Sequence, residues 1–445
     1  MKEFALINCK VVTHKEIFEG EVRVRAGKIV EVKKERGTRG RLSIGKRVAT
    51  IDLSGKYLLP GLIDAHVHFR TPGMTEKEDW TTGSRAALAG GVTTVLDMPN
   101  TIPPTTTAAL LQKKRQLVAK KALVNYGFYV GATGRNLAGL KKIKNIAGAK
   151  IFMGSSTGDL LIKDKKTLEQ FMAESGKTGQ LLAIHAELED CIARHFEMHK
   201  NERSSGAHSR IRAPECAYEA VKEVLHLAKK HGARVHICHI STEKELELVH
   251  KFRGRNVSTE VTPHHLFLTD RDYLHYENLV KVNPPLRGLI DQAALWEGLK
   301  TGLIEMVASD HAPHLLAEKE QPYLKVPSGV PGVQTMLPLL LNAVNEGKLS
   351  LPKIVEITSY NPAKVFGIEA KGQIAQGFDA DFAVVDLGLI ESVSQHHLWS
   401  KTKWSPFLDW VLKGWPVMTM VGGEIMYKWQ DTFGKKPGRE IHYVS

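Results

Sequence analysis

The sequence predicts an α/β chain: a (β/α)8 barrel of the TIM type, with a small β-sandwich domain built from both chain ends. Three observations predict it. Short apolar, β-branched runs alternate with longer helical patterns through the middle of the chain, and strand–helix alternation implies a parallel sheet. Eight such runs fit into about three hundred residues, the size of a closed eight-stranded barrel. Both chain ends read instead as short strands broken by turn residues. The expected division is 1–55 plus 366–445 for the small domain and 56–365 for the barrel. A doubly wound open sheet is the alternative.

In order, the first strands are "FALINCKVV", "GEVRVRAGKIVEVKK" and "RVATIDL", with Gly27 and Gly55 as punctuation. The eight candidate barrel strands are "YLLPGLIDAHVH", "VTTVLDMPN", "VNYGFYVGATG", "AKIFMG", "LLAIHAE", "RVHICHIS", "VSTEVTPHH" and "IEMVASDHAPH". Between them lie helical patterns such as "TLEQFMAESGK" and "APECAYEAVKEVLHLAKKHG". The chain closes with the strand-like "ADFAVVDLG" and "VMTMVGGEIMYKW".

Composition narrows the class. The chain has 445 residues, of which 42% are hydrophobic, enough to bury a large core. No apolar run reaches the eighteen or so residues a membrane helix needs. The N-terminal "MKEFALINCKVV" turns polar too soon for a signal peptide. Cys9, Cys191, Cys216 and Cys238 are far apart and form no CxxC pair. Reduced thiols and a cytoplasmic location are expected. The net charge of +13 is scattered, with no basic stripe interleaved with aromatics, so no nucleic-acid or membrane partner is expected.

The chemistry concentrates where the candidate strands end, which is where barrel enzymes build their sites. In "GLIDAHVHFRTPG", His66, His68 and Arg70 share a face if the chain stays extended. Two imidazoles with a fixed cation beyond them suggest a metal site with an anion clamp. Lys150 opens the fourth strand, and His185, His239 and Asp310 end the fifth, sixth and eighth. Four imidazoles and a carboxylate suffice for two divalent ions of the zinc type. Each residue also has a plainer reading: His185 as a core histidine, Asp310 as a helix cap. His236 and His239 have odd spacing and so oppose each other on a strand. With His239 in the site, His236 and Cys238 would face the helical layer. Asp64 and Asp97 read as supporting or packing residues. Lys150 makes sense beside cations only as a neutral amine or as the anionic carbamate formed with carbon dioxide.

From about Gly55 to Asp386 the sequence resembles the amidohydrolase superfamily and, within it, the dihydroorotases. The segments that carry the resemblance are "PGLIDAHVHFRTPG", "KEDWTTGSRAALAGGVTTVLDMPNTIPPT", "EVTPHHLFLTD", "KVNPPLRG", "SDHAPH" and "GQIAQGFDADFAVVD". The resemblance implies that His66, His68 and Asp310 hold the more buried metal and His185 and His239 the second. Lys150, carboxylated, would bridge them. Some dihydroorotases instead use an aspartate on the loop beyond. That loop here reads "GSSTGDLLI", with only Asp159 further along, and "KIFM" favours the lysine.

The resemblance also implies a small-molecule substrate with a ring carboxylate. Arg70 would pair with the carboxylate, assisted by Asn100 and His314. Asn283 would bond the ring, with backbone groups around Pro331 and Gly332. The plainer reading of Asn100 and Asn283 is as turn residues beside proline. His264, His265, His208 and Arg212 read as structural, and His195 and His199 as solvated helix positions. The implied mechanism has a hydroxide between two metals, with Asp310 as base and then acid. Allantoinase and dihydropyrimidinase or hydantoinase are the rival activities, and a non-catalytic scaffold the rival class. A homodimer and association with aspartate carbamoyltransferase are the partners the resemblance suggests.

Overall fold

The structure, a computed structural model, describes residues 3–35, 48–155, 160–252, 254, 256–429 and 433–444. Its central feature is a parallel sheet of eight strands in sequence order. They are β1 (Leu62–Val67), β2 (Val92–Asp97), β3 (Asn125–Gly131), β4 (Gly148–Phe152), β5 (Leu182–His185), β6 (Val235–Ile237), β7 (Val257–Val261) and β8 (Met306–Val307). A parallel bridge between Val67 and His311 joins the last strand to the first, closing the barrel. Strands covered on both faces read as near-continuous apolar runs, and β2, β3 and β5 are buried at every residue.

Alternation sorts the side chains. Val95, Phe128, Ile151, Ile184, Val235 and Ile237 belong to the large core beneath the helices. Ile63, Ala65, Leu96, Tyr129, Ala183, Cys238 and Met306 fill the barrel itself. The longer helices are α1 (Trp80–Ala89), α2 (Ala108–Val118), α3 (Lys165–Thr178), α4 (Glu189–His199), α5 (Pro214–His231), α6 (Glu243–Lys251), α7 (Leu289–Thr301) and α8 (Met336–Asn345). Their starts are marked in the sequence. Asp79 caps α1 by accepting from the Thr81 and Thr82 N–H groups, and Thr242 caps α6 through Glu245 N–H. Gly232 ends α5 in the left-handed conformation that spares glycine a Cβ clash.

The chain ends form the second sheet, which runs through the strands at 424–428, 411–421, 382–392, 57–60, 4–12, 17–25 and 28–34, with 49–52 beside 4–7. Its apolar core includes Leu6, Val22, Leu58, Phe382, Val384 and Met420. Two details differ from the sequence reading. "YLLP" belongs to this sheet, not to the first barrel strand, because it pairs with the strands at 4–12 and 382–392. The last residues return to the barrel floor. Tyr126 N–H donates to Arg439 O, and Ile441 packs with Phe366 and Ile368 inside the barrel. No helix among the described residues is long and apolar enough to cross a membrane.

Candidate active site

His66 and His68 stand at the end of β1, where the register against β2 slips between Asp64 and Val67. Bulges of this kind re-aim side chains beside active sites. Here Ala65 packs into the barrel while the two imidazoles still turn to its mouth. His66 Nε2 and His68 Nε2 lie 3.2 and 3.1 Å from Asp310 Oδ1. Across the mouth, His185 Nδ1 is 3.1 Å from His239 Nε2. The His66 and His239 ring centroids are 5.5 Å apart. Lys150 is wholly buried on β4, close to His185 and His239, whose own burial is the main cause that lowers their pKa values. All six proposed ligands therefore meet at one end of the barrel.

The donor set fits metal ions. Two tetrahedral bonds of about 2.0–2.1 Å place their donor atoms roughly 3.3 Å apart, close to the separations above. Lys150 Nζ has Cys238 Sγ at 2.9 Å and no carboxylate in salt-bridge reach among the described residues. An unpaired ammonium at that depth is costly, so a neutral or carbamoylated nitrogen suits the place better. Asp159 lies outside the described residues.

Behind the imidazoles stand carboxylates that the sequence reading missed. Glu260, on β7, lies 2.5 Å from His66 Nδ1 and 3.0 Å from His236 Nε2. Glu187 lies 2.9 Å from His185 Nε2 and is clasped by Arg212 at 2.6 Å. Such partners fix the tautomer and raise the basicity of a ligating histidine. Burial opposes charge on both acids. Arg212 outweighs it at Glu187, and His66 with His236 outweighs it at Glu260, holding both carboxyls well below the usual range. The one legible signal was a glutamate inside the apolar run "VSTEV".

His236 and Cys238 do not face the helical layer. Both project into the barrel, and His239 follows them because its φ of +36° reverses the chain just past β6. Arg70 and Asp310 share this left-handed conformation, with φ of +56° and +45°. Such strain in non-glycine residues clusters at functional sites. Arg70 therefore reaches the site from a turn and not along an extended strand.

The residues expected to clamp an anion lie close together. Arg70 is buried, its Nε donates to Pro313 O at 3.3 Å, and its Nη2 lies 3.1 Å from His314 Nε2. Its Nη1 is buried with no hydrogen-bond partner among the described residues. Asn100 Oδ1 lies 2.7 Å from His68 Nδ1, so it also orients that imidazole. Asn283 Oδ1 lies 2.9 Å from His208 Nε2, which gives His208 a positioning contact beyond packing. The Gly332 N–H donates to His311 Nδ1 at 3.1 Å, and its carbonyl accepts from the Thr335 and Met336 N–H groups. Of the backbone pair at Pro331 and Gly332, the glycine's own groups are thus engaged within the protein. Asp97 pairs with Lys114 at 2.5 Å, and Asp64 accepts from Ser309 N–H.

The expectation of four reduced thiols is corrected. Cys191 and Cys216 form a disulfide, because α4 packs against the start of α5 and brings their Cα atoms to 5.3 Å. Cys9 and Cys238 are free and buried. The bond joins the segment carrying Glu187 to the one carrying Arg212. It thereby ties together the two halves of the ion pair behind His185.

Burial keeps His208 and His314 neutral, each with its pKa lowered to about 3 from 6.5. The unfolded chain gains a proton at each near pH 6.5, and the folded chain gains neither until about pH 3. Stability is therefore expected to fall as pH drops through that window, by up to about 1.4 kcal/mol per pH unit for each group. Urea unfolding at pH 7 and pH 5 measures the slope, and His208→Gln should reduce it by one proton's worth.

Comparisons with known proteins bear on the family and the fold. The family model described as "Amidohydrolase family" matches residues 57–426. The chain belongs to the amidohydrolase family. Among curated relatives, a dihydroorotase of Methanosarcina acetivorans is 40% identical over 99% of this chain and 95% of its own length. A dihydroorotase of Pyrococcus abyssi is 38% identical over 96% of this chain and 95% of its own. Among solved structures, the L-hydantoinase (dihydropyrimidinase) of Arthrobacter aurescens superposes with a TM-score of 0.94 at 30% identity, covering 99% of this chain and all of the other. Like other members of this family, the chain is a metal-dependent hydrolase, and the described site supplies a suitable group of ligands in His66, His68 and Asp310.

Proposed function

We propose that this amidohydrolase is a dihydroorotase, interconverting (S)-dihydroorotate and N-carbamoyl-L-aspartate in de novo pyrimidine synthesis. The observation that carries the reading is the buried Arg70 guanidinium, whose Nη2 lies 3.1 Å from His314 Nε2 and whose Nη1 has no hydrogen-bond partner among the described residues. A substrate with a ring carboxylate satisfies that donor, and an uncharged hydantoin or dihydropyrimidine ring does not. The curated dihydroorotase relatives support the same choice. Comparing turnover of dihydroorotate, dihydrouracil and allantoin tests it, and faster turnover of either uncharged ring would count against it.

His66, His68 and Asp310 would hold one ion, His185 and His239 a second, with carboxylated Lys150 between them. When bound, two divalent ions, for which zinc suits these donors, supply Lewis acidity at the ring carbonyl and acidify the attacking water. The protein's own groups do the rest. Arg70, Asn100 and His314 hold the carboxylate, and Asn283 with the backbone near Pro331 orients the ring. Asp310 accepts the proton of the water as its oxygen adds to the carbonyl carbon. It returns that proton to the ring nitrogen as the C–N bond breaks. Glu260 and Glu187 keep the imidazoles in place.

Wild-type protein is expected to bind two ions per chain and, supplied with 13C-bicarbonate, to show a carbamate resonance. Lys150→Ala should lack the resonance and hold one ion or fewer. Two ions in Lys150→Ala would remove the lysine from the centre. A cytoplasmic location, a homodimer and an association with aspartate carbamoyltransferase complete the reading. Sedimentation of the chain alone and with that enzyme tests the last two.

A further inference from the structure

Two hydrogen-bond donors confront each other in the anion pocket. Arg70 Nη2 lies 3.1 Å from His314 Nε2, and a guanidinium nitrogen can only donate. Either Nε2 is a bare acceptor for Arg70, or it carries a proton and both groups aim hydrogens at a shared third partner. The far side of the imidazole decides between these. Nδ1 lies 3.2 Å from Lys77 Nζ, an ammonium with three donors and no acceptor. Glu318 Oε2 is the other charged group near Nδ1, but at 3.7 Å it is too distant to accept a hydrogen bond. Glu318 Oε1 is meanwhile engaged by Lys77 Nζ at 2.7 Å. Nδ1 therefore accepts from Lys77, and the proton of the neutral ring sits on Nε2. There Ser328 O, 3.2 Å away, can receive it until a ligand arrives. Burial, helped by the charges of Arg70, Lys77 and Lys319, keeps the ring neutral against the opposing pull of the Glu318 carboxylate.

We propose that Lys77 is a specificity-determining positioning residue: by holding His314 Nδ1 as an acceptor it makes Nε2–H a donor, so that Arg70 and His314 converge on one substrate carboxylate. The inference rests on the dihydroorotase reading for the identity of that carboxylate. Lys77 touches no reacting atom and lies near the surface, with its side chain 14% exposed. Without it, the ring proton moves to Nδ1, facing Glu318, and Nε2 turns a lone pair on the carboxylate.

The test compares Lys77→Met, Lys77→Arg and Glu318→Gln with wild type at pH 8, using dihydroorotate kinetics and 15N spectra of histidine-labelled protein. The His314 signals are assigned by their loss in His314→Gln. Lys77→Met should raise KM about 10- to 100-fold, the scale of a charge-assisted hydrogen bond turned repulsive. Its kcat should stay within about threefold, since an interaction equal in ground and transition states is lost. Lys77→Arg should restore most of the KM, and Glu318→Gln should leave it nearly unchanged. The spectra should place the proton on Nε2 in wild type and Lys77→Arg, and on Nδ1 in Lys77→Met. An unchanged KM in Lys77→Met overturns the proposal, as does Nδ1–H in wild type. A large KM effect confined to Glu318→Gln does so too, since Glu318 would then set the tautomer. Should Lys77→Met fail to fold, Lys77→Gln takes its place with the same expectations. Wild type that leaves dihydroorotate untouched sinks the functional reading and the carboxylate half of the inference, while the spectra still decide whether Lys77 sets the ring.

Discussion

Asp310→Asn is expected to lower kcat for dihydroorotate by about 1,000- to 10,000-fold while leaving the fold intact. Among the described residues, Asp310 alone of the carboxylates meets the ring nitrogens that face the mouth, at 3.2 Å from His66 and 3.1 Å from His68. Glu260 and Glu187 lie against the opposite nitrogens of their histidines, turned away from any substrate. Asp310 is also the more accessible partner, with a side chain 13% exposed against 2% for His66. An amide fills the same volume and can still offer an oxygen to an ion, but it cannot take up and return a proton. The loss should therefore fall on kcat, with KM little moved, and the acid limb of the pH–rate profile should disappear. Thermal melting within a few degrees of wild type would separate this from unfolding. An asparagine variant that retains a tenth of the wild-type kcat would show that another group carries the proton.

Much of this site is legible in the sequence because barrel topology turns strand ends into a single place. His66, His68, Lys150, His185, His239 and Asp310 are spread over 245 positions between His66 and Asp310, yet each falls at or just past a strand, and the closed sheet does the rest. Strict alternation failed where the backbone departs from strand geometry. His239 and Cys238 turn toward the same interior because φ is +36° at His239, a value that nothing in "RVHICHIS" announces. Arg70 reaches its place through another left-handed residue, so its distance along the strand was a poor guide to its position.

Supporting groups were harder to read. Glu260 and Glu187 look like any acid in a sequence, and their role depends on which histidine nitrogen they meet. Arg212 and His208 read as structural in the sequence because their partners, Glu187 and Asn283, lie 25 and 75 positions away. The Cys191–Cys216 bond was invisible for the same reason. It depends on how α4 packs against the start of α5, and the spacing of the two cysteines does not reveal that. The return of the C-terminal residues to the barrel floor likewise follows from pairing with Tyr126 and not from any local pattern.

Arg70→Met should discriminate between substrates and not simply inactivate. Its guanidinium is almost wholly buried, and burial lowers its pKa only to about 10, so it remains a cation throughout the working range. Removing a buried, hydrogen-bonded charge from its partner costs about 3–5 kcal/mol, equivalent to roughly 150- to 5,000-fold in kcat/KM for dihydroorotate. Methionine keeps most of the volume and removes the charge. Dihydrouracil has the same ring without the carboxylate, so its turnover should change less than about tenfold. Arg70→Lys should recover only part of the loss, because an ammonium cannot offer the paired N–H geometry. A matching fall for both rings would mean that Arg70 supports the metal ligands and not the anion. The ratio of the two rates, more than either rate alone, tests whether the pocket was built around a carboxylate.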